Sequence, residues 1–229
     1  MQIYKLVLLC WRVIRANRTP RIVFLLMAAA FAISQPWYAS EPYEIIYSGT
    51  SWFYLTSGLI TGFLILCWNI YDIFSKQGVI MSVGRKSDLA VDIFLLVLVI
   101  SMVYASIYMF VFCGAAACLS GDIPYKILSV IMTIIMLIFY VCFCGICFFI
   151  VAAVSGKPGA AFLIVMMFPG ADSTFSLIKG SPLLLKYVFP PETLLHVRSV
   201  TFITGGAVLA ASVLVAFIVF TAVVVRKDF

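Results

Sequence analysis

Five long stretches of this chain contain no acidic or basic residue: Ile22 to Ser40, Ile45 to Tyr71, Ile93 to Gly121, Ile127 to Gly156 and Ser199 to Val225. A bilayer core takes ~20 apolar residues per helical span, and an uncharged apolar run of about 18 or more marks a candidate. Helices buried in a water-soluble domain would need polar outer faces, which these runs lack. Hydrophobic residues fill 65% of the 229 positions and charged ones only 10%, too few to coat a soluble globule of this size. The expectation is an all-α polytopic membrane protein.

The longest interval between apolar runs, 169–198, is too short to bury a core of its own, so residues 1–229 are expected to form a single transmembrane domain. No Gly-x-x-x-x-Gly-Lys-Ser/Thr phosphate loop occurs, and any use of ATP is expected to come from another chain. The net charge of +6 is dispersed over loop ends, a pattern that anchors spans against anionic lipid and argues against a nucleic-acid partner. Met1 to Asn17 lacks the layout of a cleavable signal. Six of the seven cysteines lie within the uncharged runs. In the cluster Cys142-Phe-Cys144-Gly-Ile-Cys147, helical spacing turns Cys142 away from the other two and no histidine is near. These thiols are expected to pack as small apolar groups, with no metal or cofactor held by this chain. Spacing leaves open whether Cys113 and Cys118 pair.

The first residues are amphipathic. Ile3, Val7, Cys10 and Ile14 recur at helical spacing, with Lys5, Arg12, Arg15 and Arg18 on the other side and Leu8 and Leu9 as exceptions. This predicts a helix over 1–18 lying in the membrane interface, ended by Thr19-Pro20. Spans are predicted at 22–39, 52–74, 90–113, 126–154, 158–178 and 199–225. The fifth carries Pro169, Gly170 and Asp172, so its outer half is expected to be broken or partly unwound, and 179–198 forms an extracellular or re-entrant segment. With six spans and a cytoplasmic N-terminus, eleven of the fifteen Lys and Arg residues fall inside; a fifth segment that merely dips and returns gives twelve. The charge distribution therefore leaves the two topologies open, and length favours a full crossing.

Two stripes of polar side chains run along the predicted spans. Tyr54, Ser57, Thr61, Trp68 and Asp72 share one face of the second, and Ser101, Tyr104 and Tyr108 one face of the third. Hydroxyl groups in hydrocarbon face protein or water, so these residues either hydrogen-bond between helices or line a path for cargo. Gly58-x-x-x-Gly62 and Gly206-x-x-x-Ala210 allow close helix approach. His196, the sole histidine, has only Glu192 nearby, which falls short of a catalytic set. Asp92 is expected to cap the start of its helix.

The connection after the second span runs from Asp72 through Lys76-Gln77-Gly78 to an apolar turn at Val79, Ile80, Met81 and Val83, then Arg85 and Lys86. A short helix over 76–88, apolar on one side and flanked by charge, suits docking into a groove on another protein. The order of parts, the Asp72 to Arg85 connection, the proline-rich stretch Pro169 to His196 and the ending Val225-Arg226-Lys227-Asp228-Phe229 together resemble the permease subunits of ABC-2-type exporters. Gln77 stands where that family usually has Glu, and Gly84 lies near the place of a usual Pro. Short permeases of this kind resemble the membrane subunits of peptide-toxin and bacteriocin exporters, including the phenol-soluble modulin exporter.

The resemblance implies a six-span exporter permease in a bacterial cytoplasmic membrane, with both termini cytoplasmic. It further implies a partner ATPase holding ATP and Mg, and a second permease copy or paralogue. The cargo would be an amphipathic peptide or toxin. Asp72, Lys76, Gln77, Gly78, Met81, Arg85 and Lys86 would couple to the ATPase, and the two polar stripes are the candidate path. The chain itself would be no enzyme. Two other classes remain open: an ATP-independent channel or secondary carrier, which would want buried paired charges or an internal repeat, and a non-transport immunity or sensor protein.

Overall fold

The computed structural model describes residues 55–75, 86–120, 127–179 and 199–226, and every element in them is helical. A π-helical stretch, Leu55–Ile60, leads without a break into α1 (Thr61–Phe74); α2 is Lys86–Ser120, α3 Ile127–Ser155, α4 Pro158–Lys179 and α5 Ser199–Arg226. In hydrocarbon each backbone N–H and C=O must find its partner within the segment, which leaves the helix as the local solution for these apolar runs. Among the described residues, stretches of α2, α3 and α5 are long and apolar enough to cross a membrane: Lys86–Gly114, Val130–Ser155 and Ile203–Arg226. Gly58–Asp72 and Pro158–Phe168 are shorter apolar pieces. The protein is thus a helical bundle with membrane-protein character.

α3 is the centre, packed against each of the other four helices. Gly145 makes that possible: a β-carbon there would lie 2.8 Å from both Phe63 of α1 and Val97 of α2. The buried seam of α5, Leu209, Val213, Ala216, Phe220 and Val224, repeats every three or four residues and lies along α3. At Gly206 a β-carbon would stand 3.4 Å from the methyl group of Met136 in α3, as close packing at the Gly206-x-x-x-Ala210 pair predicts.

Contacts fix the helix directions. Phe63 meets α3 at Gly145 and Tyr71 meets it at Ala152, so α1 runs parallel to α3. Gly206 at Met136 and Phe220 at Phe149 make α5 parallel to it as well. α4 runs against α1, with Gly159 and Phe162 beside Trp68 and Met166 beside Thr61. α1, α3 and α5 therefore finish at one end of the bundle, where α2 and α4 begin. Asp72, Lys86, Asp88, Asp92, Lys157 and Arg226 all belong to this end, called here the charged end.

Several expectations are corrected. α4 continues as helix through Pro169, Gly170 and Asp172 instead of breaking there. A proline inside a helix removes one N–H and crowds the carbonyl four residues earlier, and membrane helices absorb this through local adjustment and neighbouring groups. α2 begins at Lys86, not 90, so the acid in its first turn is Asp88, and 86–88 belong to α2 rather than to a separate short helix. Asp92 stands beyond the reach of the free N–H groups that a cap satisfies. α2 also runs on past 113 to Ser120. The predicted 1–18 helix, the 22–39 span and nearly all of the 179–198 segment lie outside the described residues.

Candidate coupling end and path residues

The charged end is built around the corner between α3 and α4. Gly156 takes φ +66°, a left-handed conformation that glycine adopts without a β-carbon clash, and its N–H donates to Ala152 O at 2.9 Å. Ser155 Oγ donates to Val151 O at 2.7 Å and accepts the Lys157 N–H at 3.1 Å. Pro158 then occupies the first turn of α4, where a missing N–H costs nothing, and Ala161 N–H returns to Lys157 O at 3.2 Å. The direction of the chain is reversed within two residues.

The end of α1 is fastened to this corner. Tyr71 Oη donates to Ala152 O at 3.2 Å, and its ring lies 6.4 Å from that of Phe149. Phe149 in turn meets Phe220 of α5 at 6.0 Å, and Phe94 of α2 meets Phe217 of α5 at 4.4 Å. Aromatic contacts thus tie α1, α3, α5 and α2 together within about two turns of the charged end. α1 itself closes with Ser75 N–H on Tyr71 O at 2.8 Å and Ser75 Oγ donating to Asp72 O at 3.3 Å. Between these ends lies a cavity of about 20 Å³, room for a single water, lined among others by Tyr71, Ser75, Leu89 and Val224.

Of the expected coupling residues, Asp72 is exposed at the end of α1 and Lys86 half-buried at the start of α2. Lys76, Gln77, Gly78, Met81 and Arg85 lie outside the described residues, as does Tyr54. Ser57 falls in the π-helical stretch. The remaining stripe residues are placed against neighbouring helices. Thr61 Oγ1 lies 3.4 Å from Met166 Sδ, and Trp68 packs on Phe162 and Gly159, so this stripe faces α4. Ser101 is fully buried and its hydroxyl donates back to Val97 O at 2.7 Å. Tyr104 meets Phe63 edge-on at 6.1 Å, and Tyr108 packs on Phe112 at 4.9 Å. The second stripe therefore faces α1 and the core, and the two stripes do not converge on one surface.

The larger apolar furrow, about 520 Å³, runs between α3 and α5 and is lined by residues such as Phe143, Cys147, Ala211 and Val215, none of them in either stripe. Cys67, Cys142 and Cys144 are buried thiols, and neither they nor Cys113, Cys118 and Cys147 form a disulfide among the described residues. Tyr71 and the Ser155–Lys157 corner were missed by sequence reasoning. The signal for the corner was present, a glycine two residues before a proline at a span boundary. Comparison with protein-family models, curated proteins and solved structures gives no match to this chain.

Proposed function

We propose that this chain is the membrane permease subunit of an ATP-driven exporter of the ABC-2 type, moving amphipathic peptides or toxins with a separate ATPase. The observation that carries the reading is the charged end itself. There the close of α1, the start of α2, the last turns of α3 and the close of α5 gather around one small cavity. The connection 76–85, with its Lys76-Gln77-Gly78 break and Arg85, joins two of those helix ends. A protein docking on this connection would push on four helices at once.

In this reading the charged end faces the cytoplasm, as a concentration of Lys and Arg on that side requires. Six spans follow, with 22–39 as the first and α4 as a full crossing. At 22 residues α4 reaches about 33 Å, against a hydrocarbon core of ~30 Å. The parallel course of α3 and α5 supports the crossing, because a chain that leaves the charged end at Pro158 must reach the far end before α5 can return.

The permease performs no bond chemistry. Two copies, or this chain and a paralogue, would present cargo with surfaces of different affinity in two states, and the partner's ATP and Mg would bias the equilibrium between them. The apolar outer faces keep the assembly in the bilayer. The test is co-purification: tagged full-length chain, extracted from a bacterial membrane, should carry an ABC ATPase whose turnover rises when an amphipathic helical peptide is added. A chain that purifies without any ATPase and still moves that peptide across sealed vesicles would remove the proposal.

A further inference from the structure

We propose that Tyr71 is the positioning residue through which displacement of the 76–85 connection reaches the α3–α4 hairpin. This inference rests on the functional reading above and assigns it a transmission point. Ala152 carries one of the last four carbonyls of α3, groups without a partner further along their own helix. Its oxygen accepts twice, from Gly156 N–H at 2.9 Å and from Tyr71 Oη at 3.2 Å. The first bond sets the left-handed residue that turns the chain into α4. The second ties that same atom to α1, one residue before Asp72 and five before the connection begins at Lys76. A pull on the end of α1 therefore acts on the carbonyl that defines the corner.

The surroundings favour the hydroxyl as the tie. The cavity of about 20 Å³ against Tyr71 and Ser75 leaves packing around the ring incomplete, so apolar contact alone holds it loosely. The ring's neighbour Phe149 belongs to the same helix as Ala152, and Phe149 continues to Phe220 of α5. Tyr71 thus addresses α3 through both its ring and its hydroxyl. Removal of the hydroxyl keeps the first link and breaks the second.

The experiment uses the full complex of this chain with its ATPase in lipid nanodiscs, wild type against Tyr71→Phe, with an amphipathic helical peptide as probe. Three quantities are read: ATPase bound per permease, basal turnover, and the ratio of peptide-stimulated to basal turnover. Bound ATPase and basal turnover should be unchanged and the melting temperature should fall by no more than about 2–4 °C, while the stimulation ratio falls about twofold to tenfold, the range set by loss of one neutral hydrogen bond. An unchanged ratio in Tyr71→Phe, with wild type stimulated, overturns the inference and leaves the functional reading intact. Loss of assembly or a lowered melting temperature with an unchanged ratio in the surviving complex makes Tyr71 a packing residue only, and also overturns it. A wild-type chain that binds no ATPase ends both.

Discussion

The two faces of α2 are almost equally apolar, yet they meet different surroundings. Inward, Ile93, Val97, Ile100, Tyr108 and Phe112 are buried against other helices. Outward, Val91, Leu95, Met102, Val103, Ile107 and Phe110 are exposed, Phe110 at 79% against none for Phe112 two residues on. In water an outer face of this kind would drive aggregation; in a bilayer it meets acyl chains as apolar as itself. Most mid-span hydroxyls of α2 and α3 sort the other way: Ser101, Tyr104, Tyr108 and Thr133 are buried, and Ser106 is the exception. Fold specificity in this bundle thus comes from close fit and inward polar groups, and the outer apolar face specifies only the solvent.

That contrast can be broken most severely at Gly145. Gly145→Leu would drive a side chain into Phe63 and Val97, both fully buried, and should abolish the monodisperse species in size-exclusion chromatography. Phe112→Ala is expected to cost about 3–5 kcal/mol in an unfolding titration in mixed micelles, whereas Phe110→Ala should change it by less than about 0.5 kcal/mol. Equal losses at the two positions would mean that Phe110 is covered in the assembled protein. Met102→Arg, on the outer face near the middle of the span, is expected to cost about 2.5–3.5 kcal/mol of membrane insertion in a translocon assay; indifference there would mean water and not lipid on that face. Ser101→Ala should cost about 1 kcal/mol, because its hydroxyl returns to a carbonyl of its own helix and also shares a hydrogen bond with the Cys142 thiol of α3. A larger effect on cargo transport than on stability would restore Ser101 to the path.

Much of the bundle was legible in the sequence because hydrocarbon imposes sharp limits on where an apolar run may stop. The predicted segments 126–154, 158–178 and 199–225 compare with helices Ile127–Ser155, Pro158–Lys179 and Ser199–Arg226. α2 was misjudged because its helix starts before the uncharged run, taking in Lys86, Asp88 and Asp92, and because at the other end it continues through the small residues Gly114 to Ala117 inside that run. Pro169 misled for a different reason: its local preference is outweighed by the demand that every neighbouring backbone group be satisfied inside the membrane. The candidate path shows the deeper limit. Periodicity groups Thr61 with Trp68 and Ser101 with Tyr104 and Tyr108, but it carries no information on what each face meets. One stripe addresses α4 and the other α1 and the core. Tyr71 was passed over because its hydrogen bond goes to a carbonyl 81 positions away, which no local pattern reports.

The tight reversal at Gly156-Lys157 has a consequence for how the protein is made. α4 holds a proline, a glycine, an aspartate and three hydroxyl residues, Ser173, Thr174 and Ser176, in its second half, a poor candidate for entering lipid unaided. α3, by contrast, has no charged residue at all. Joined by so short a turn, the pair would leave the translocon together as one antiparallel unit, with the strongly apolar partner carrying the reluctant one into the membrane.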